Sequence, residues 1–509
     1  MAASIAVASS ATAAEDTQGL LDVLLENGSI TKEQYESLGG GTSEPPSRDA
    51  ADAAADAASD GSAETASAPA DAAEPELPPV SGAGDAEDER INERIANEVA
   101  KQIEAAFPVK ASYGSKGFRL ETKDGNWQTN LQWRAQMRLT WPRRSDPRQV
   151  SQFSFNRPDE RITFENRRLR MKIGGHGYKP WLKYYFEVDL QPTRDSDDSS
   201  SNASARVIDW RIDVAKSKKI GIRVGQWKID YNRERVDSSG RQQFVERSIV
   251  NRTFTIDRQV GVSLRGRLFE GTPADVRYAF GVFTGEGRGV NNDDNNLMYT
   301  ARIQWNFLGR DLKLRQTDVE RTEKPTGSFA IGAAKHTGVC TRWSSSGCGN
   351  LDGFTSAGSA GQGQFRVYQA VAELAFKWQG FSFQSEGHWK RVIDRALDEG
   401  DANHDHNLTG LYVQTGYFFN EIFEAVPEEL ELAFRYAIVR EPNASNLGTT
   451  PSNRLKSNTR EEYTAAANWF FAGHNNKLTL DYSYLTLDDD VLARFVSDHR
   501  VRFQWDISF

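Results

Sequence analysis

From Asn126 onward, apolar and polar residues alternate with a period of two, the spacing at which side chains leave opposite faces of a β-strand. In residues 131–139 one parity reads Leu131, Trp133, Ala135, Met137 and Leu139, and the other reads Gln132, Arg134, Gln136 and Arg138. The split recurs with Leu169, Met171 and Ile173 against Arg168, Arg170 and Lys172. It recurs again with Leu182, Tyr184, Phe186, Val188 and Leu190 against Lys183, Tyr185, Glu187 and Asp189. One face of each strand suits lipid and the other suits water. Soluble sandwiches alternate too, but they have no need of aromatic residues at both ends of strand after strand.

Further runs of this kind lie at 205–215, 219–229, 257–268, 275–284, 298–308, 326–335, 364–379, 380–392, 407–420, 429–440, 460–471, 475–487 and 498–509. With the first three they predict an all-β fold, a transmembrane antiparallel barrel of about sixteen strands. Short connections (174–179, 216–218, 270–274, 379–380, 472–475) are set against long ones (140–160, 230–256, 336–363, 441–458), as expected of periplasmic turns facing external loops. The last run puts Val501, Phe503, Trp505, Ile507 and Phe509 on the lipid parity. A terminal strand ending in Phe resembles the signal read by the barrel-assembly machinery, which would place the protein in the outer membrane of a Gram-negative-type bacterium.

Residues 1–107 follow other patterns. Residues 1–14, small and apolar and ending Ala11-Thr12-Ala13-Ala14 before Glu15, read as a signal-peptide remnant. Residues 15–38 read as a short helical hairpin broken at Asn27-Gly28, with Thr31 as an N-cap. Residues 39–87 form an acidic Ala/Pro linker with too few large apolar side chains to offset chain entropy. In 88–107 Ile91, Ile95, Val99 and Ile103 recur on one helical face, predicting a trimeric coiled coil or a lone amphipathic helix at the periplasmic mouth. The expected order is thus a helical periplasmic arm followed by a barrel over 110–509.

Charge sharpens this division. The net charge of -9 averages an acidic arm, with 19 acidic and 3 basic residues in 1–90, and a basic region, with 37 basic and 23 acidic residues in 110–310. The bases alternate with lipid-type residues and do not cluster on a helix-turn-helix or finger, which argues against nucleic acid as a partner. No run approaches the roughly 18 apolar residues of a membrane helix. The only cysteines, Cys340 and Cys348, lie in one Gly/Ser-rich stretch. In an oxidising compartment they would staple a loop; the alternative is two unpaired thiols.

Several blocks resemble the phosphate-selective porin O and P family across roughly 110–509. They are Gly117-Phe118-Arg119-Leu120-Glu121-Thr122 with Asp124-Gly125, then Arg167-Arg168-Leu169-Arg170-Met171-Lys172-Ile173-Gly174-Gly175 and Tyr184-Tyr185-Phe186-Glu187-Val188-Asp189. Gly221-Ile222-Arg223-Val224-Gly225-Gln226-Trp227-Lys228, Phe244-Val245-Glu246-Arg247-Ser248 and Arg258-Gln259-Val260-Gly261-Val262 follow, in matching order and spacing. The arm segment Ser29-Ile30-Thr31-Lys32-Glu33-Gln34-Tyr35 is similar too. The resemblance implies a homotrimer in outer-membrane lipid, one pore per barrel, and inward-folded loops that build an Arg/Lys-lined constriction. Its third loop maps to 230–256, where Lys228-Ile229-Asp230-Tyr231-Asn232-Arg233 replaces the family's common Pro-Phe-Gly turn.

The expected anion pathway is a ladder of guanidinium and ammonium groups on the lumen parity: Arg134, Arg138, Arg168, Arg170, Lys172, Lys183, Arg211, Arg223, Arg265 and Arg267. Arg241, Arg247 and Arg252 join it from the inward loop. The bland alternative is that these bases pair with Asp189, Asp209, Asp213 and Glu246 and hold the pore's shape. No cofactor is expected. An enzyme is disfavoured because the seven histidines lack a partnered Ser motif, and His404-Asp405-His406 reads as a solvated turn rather than a metal site. A general diffusion porin whose 15–107 arm tethers the membrane to the cell wall or a periplasmic partner is the competing reading.

Overall fold

The computed structural model describes residues 109–142, 162–190, 205–290, 292, 295–345, 347–351, 354, 362–442, 457–489 and 493–509. Of the predicted arm it describes Lys32, Glu93, Arg94, Asn97 and Glu98, all helical. The rest of the signal remnant, hairpin, linker and 88–107 helix lies outside the described residues.

The strands in chain order are β1 (Val109–Gly114), β2 (Gly117–Thr122), β3 (Gln128–Trp141), β4 (Thr163–His176), β5 (Leu182–Asp189), β6 (Arg206–Val214) and β7 (Gly221–Lys228). Next come β8 (Arg258–Leu268), β9 (Val276–Phe283), β10 (Met298–Trp305), β11 (Thr326–Gly338), β12 (Arg342–Ser344) and β13 (Gly347–Gly349). The chain ends with β14 (Phe365–Trp378), β15 (Phe381–Asp394), β16 (Asp405–Tyr417), β17 (Leu430–Pro442), β18 (Ser457–Phe470), β19 (Asn476–Asp489) and β20 (Arg494–Ser508).

Strands β3–β11 and β14–β20 each pair antiparallel with the next, and β20 returns to β3 with Phe503 opposite Leu139 and Ser508 opposite Arg134. Sixteen strands therefore close a barrel with no free edge, the condition for satisfying every backbone group in a bilayer. Each run predicted from alternation falls on one of these strands. The β1–β2 hairpin was not foreseen: β2 pairs with residues 128–131 of β3, taking the place beside β3 that β20 vacates at Ser508.

Burial follows the two parities. Gln369, Glu373 and Lys377 of β14, with Gln384 and Glu386 of β15, point inward and are buried, whereas Leu374, Trp378, Leu432, Phe434, Phe503 and Trp505 stand outward and exposed. Aromatic residues ring both ends, with Trp305, Trp378, Phe471 and Phe509 at one and Trp141, Phe164, Tyr299 and Phe495 at the other. The chain termini of the barrel lie at the end of the shorter connections, the periplasmic side by the length rule. That rule has exceptions here. The connections 306–325 and 418–429 are long on the periplasmic side, and 490–493 is short on the external side.

The lumen parity is apolar in one sector. Val367, Val371, Val392, Leu408, Tyr412, Ala437 and Val439 of β14–β17 face inward and form a core with Ile249, Val250, Phe254 and Trp343. This buried contact fixes where inward loops dock. Cys340 and Cys348 are joined in a disulfide that closes the β12–β13 hairpin, with a Cα–Cα distance of 5.7 Å. Lys390 Nζ donates to Thr341 O at 2.9 Å and to Thr253 O at 2.5 Å, tying that hairpin to the loop beneath it.

Asp481, which faces inward from β19, accepts from Arg502 Nε at 2.8 Å, Arg502 Nη2 at 2.6 Å and the Val245 amide at 3.0 Å. Asp481→Ala should destabilise the barrel by about 3–5 kcal/mol, because it strands a buried guanidinium. The test is a lower temperature of conversion from the folded to the unfolded band on semi-native electrophoresis.

Candidate functional site

The connection 229–257 between β7 and β8 turns into the lumen, where the backbone amides that it buries against the wall need acceptors in place of water. Carboxylates on the opposite wall supply them. Glu373 accepts from the Arg233 amide at 3.1 Å, Glu386 from the Glu234 amide at 2.7 Å, and Glu462 from the Ile249 amide at 2.9 Å. Donors from the same wall take the carbonyls: Lys477 on Gln242 O at 2.6 Å, Asn468 on Gln243 O at 2.8 Å and Arg435 on Glu246 O at 3.0 Å. Two short helices, α1 (Arg233–Val236) and α2 (Ile249–Phe254), shape the crossing. Glycines on the lumen parity give clearance. A Cβ at Gly410 would lie 2.5 Å from the Phe254 ring, and one at Gly332 would lie 2.5 Å from Tyr231 O.

The long connection 306–325 supports this loop from the periplasmic side. Gln316 accepts from the Gln243 amide at 2.7 Å and donates to Gln242 Oε1 at 2.8 Å, and Arg233 Nη1 donates to Lys313 O at 3.2 Å. The departure from short periplasmic turns thus has a physical reason: the extra residues prop the crossing.

With much of the β14–β20 wall covered, three neighbouring cavities lie along β4–β10, and a fourth of about 670 Å³ lies at the periplasmic connection 306–325 against Lys377 and residues 472–475. The smallest, about 90 Å³, is lined by Arg167, Arg168, Arg170, Arg206, Lys228, Arg235, Arg247, Arg258 and Arg288, against one acid, Asp189. A middle cavity of about 320 Å³ shares Arg170, Lys228 and Ser239 with it, and carries six bases and three acids. The widest, about 900 Å³, shares Arg223, Asp230, Val236, Ser238 and Arg241 with the middle one, and carries eleven bases and five acids. Low-dielectric walls magnify each such charge.

The structure distributes the sequence-predicted ladder among three roles. Lys172, Lys183, Arg211, Arg223, Arg265, Arg267 and Arg241 line the middle or wide cavity, and Arg168, Arg170 and Arg247 line the small one. Within these groups Arg170 is paired with Glu187 at 3.1 Å, Arg223 with Asp213 at 2.6 Å, Arg265 with Asp230 at 3.0 Å and Arg267 with Glu270 at 3.0 Å. Arg211 stacks on the Tyr185 ring at 4.2 Å. Arg134 and Arg138 hold the loop, through Ser238, Ser239 and the Val245 carbonyl, and line none of the three cavities. Arg252 sits half-buried in α2, also outside their linings.

Sequence alternation missed Arg167, Arg206, Lys228, Arg235, Arg258 and Arg288. Two of these follow from β-bulges, where one extra residue reverses the parity beyond it. The register slips at Gln136/Met137 against Arg168 and Asn166, which adds Arg167. It slips again at Glu187/Val188 against Asp209 and Val207, which turns Arg206 inward. Arg258 shares the parity of lipid-facing Val262 and Leu264, yet at the loop–strand corner it is buried, held by Asp209 through two bonds of 3.0 Å.

Gly410→Val should push Phe254 out of its notch at a cost of about 1–3 kcal/mol and loosen the crossing. Single-channel recording should then show a larger and noisier conductance than that of the native protein.

The model of the family described as phosphate-selective porin O and P matches residues 144–507. No curated protein sequence is significantly similar to the chain. Among solved structures the chain is similar to the outer-membrane channel DcaP of Acinetobacter baumannii, with 12% identity, 76% of this chain and 99% of that one covered, and a TM-score of 0.46. An anion-selective porin from Comamonas acidovorans matches with 10% identity, 75% and 99% coverage and a TM-score of 0.44. OmpF of Salmonella typhi matches with 12% identity, 76% and 100% coverage and a TM-score of 0.47. Since the family model spans most of a chain whose strands close a sixteen-stranded barrel, the protein belongs to the phosphate-selective porin O and P family and is an outer-membrane channel.

Proposed function

We propose that the channel is a water-filled, anion-preferring pore for passive diffusion of phosphate or other small anions. The observation that carries this reading is the lining of the smallest cavity, nine bases against one acid. An anion entering there sheds water, and guanidinium groups replace its hydration with paired N–H donors. Mixed charge in the wider cavities weakens each later site, so the ion can leave. The protein works as a homotrimer, exported by a signal peptide and inserted by the barrel-assembly machinery through its last strand. Its 15–107 arm lies in the periplasm.

Pairing in the wide cavity, such as Arg223 with Asp213 and Arg265 with Asp230, favours a second reading: a general diffusion porin whose arm tethers the envelope. Reversal potentials of single channels in a salt gradient separate the two. The proposal expects anion preference; a neutral or cation-preferring pore would sink it. Deleting residues 15–107 should leave conductance unchanged, and a loosened envelope in such cells would assign the arm its tether role.

Arg241 lines both wider cavities, and among the described residues its side chain has no hydrogen-bond or ion-pair partner. A unit charge acts with about 1 kcal/mol at 4 Å even in water, so Arg241→Glu should lower the anion-to-cation permeability ratio several-fold while the folded fraction stays constant. Asp237 of the inward loop lines the wide cavity, and burial pushes its carboxyl up to about 6. The group is mostly ionised above that value and mostly neutral below it. Acidifying from about pH 7 to about pH 5 should therefore strengthen anion preference, and Asp237→Asn should abolish that part of the pH response.

A further inference from the structure

The outward face carries a basic patch that the pore does not use. On the lipid parity near the external ends of β11, β14, β15 and β17 stand Lys335, Arg366, Arg391 and Arg440. Lys335 lies opposite Tyr368 and Tyr368 opposite Arg391, so one row runs across three strands. Arg366 is one pleat nearer the external end, between Thr337 and Ile393, and Arg440 is two strands beyond Arg391, opposite Thr409. Strand spacing makes the arc about 20 Å wide. Elsewhere around the barrel Trp141, Phe164, Val207, Tyr299 and Phe495 stand outward near the external strand ends, as expected there, and the acids Glu461 and Asp488 stand outward on β18 and β19.

Charge balance within the arc is incomplete. Asp405 is paired with Arg391, and Glu461 accepts from Tyr436 Oη at 2.6 Å. Lys335 lies 5.8 Å over the Tyr368 ring. Among the described residues Lys335, Arg366 and Arg440 have no carboxylate partner. The nearby acids Asp398, Glu399 and Asp401 belong to the 395–404 connection, beyond the strand ends. Depth gives the second constraint. Trp389 lies outward on β15 two residues below Arg391, and Trp marks the boundary between hydrocarbon and headgroups. Lys335 and Arg391 stand one pleat farther out than the Trp389 row, about 7 Å along the strand, Arg366 stands two pleats farther out, and Arg440 lies in the Trp389 row through Thr409, so the four bases run from the headgroup boundary to the level of lipid phosphates.

We infer that this arc is a binding surface for a phosphate-bearing lipid of the outer leaflet, with acyl chains against the apolar face below and phosphates held by Lys335, Arg366, Arg391 and Arg440. Several bases spread over some 20 Å suit a headgroup with more than one phosphate better than a single compact one.

The test uses the full-length protein in neutral detergent with a diphosphorylated, multiply acylated glucosamine disaccharide lipid, its monophosphorylated form, and phosphatidylethanolamine. Native mass spectrometry reads the bound lipid. The expected result is retention in the order diphosphorylated, monophosphorylated, phosphatidylethanolamine, with at least tenfold weaker retention of the first by K335Q/R366Q/R440Q, at roughly 1 kcal/mol per removed charge. The variant should keep native single-channel conductance, which shows that its barrel is folded. R241Q, altered inside the pore, should bind the lipid as the native protein does. Equal retention by K335Q/R366Q/R440Q, or no distinction between the three lipids, would overturn the inference.

Discussion

A loop placed inside a barrel must find acceptors for its backbone amides, and here one wall of the lumen provides them. Glu373, Glu386, Glu462 and Asp481 stand on β14, β15, β18 and β19 and take amides from successive points of the 229–257 crossing. Apolar residues on the same wall, Val371, Leu408 and Val439 among them, receive α2. The position of the loop, and with it the size of the opening, depends on this docking. Hydrogen bonds to buried carboxylates are stronger than those between neutral groups, and each acid also has to be satisfied once buried.

Charge separation across the lumen follows from the same arrangement. Acids of the β14–β20 wall are occupied by the loop or by neighbouring arginines, as in Arg435 with Glu462 and Arg502 with Asp481. The opposite wall, β4–β8, keeps an excess of bases facing open space. Most of the open space therefore lies along β4–β10, and the greatest excess of positive charge lines the smallest of the cavities there.

The barrel was legible in the alternation because lipid and water impose opposite demands on successive residues. The sixteen runs and the two termini of the sheet needed nothing more. The inward docking was less visible. Val367, Val371, Leu408 and Val439 sit on the water parity, and Gly332 and Gly410 sit there too; both departures mark where a loop lands. Parity also misplaced residues next to bulges, since one inserted residue reverses the face of all that follow, as with Arg206. The β1–β2 hairpin is harder to read because each of its strands has six residues, a stretch in which the alternation of Val109, Ala111 and Tyr113 with Lys110 and Ser112 is too short to stand out.

The crossing is fastened to the far wall along its length and rests on Gln316 from below. A span supported on both sides has no free end to swing, so it acts as a sieve with a set mesh and not as a valve. Changing its aperture would mean breaking those bonds to the wall, so the size of the opening is a property of the whole barrel rather than of the loop alone.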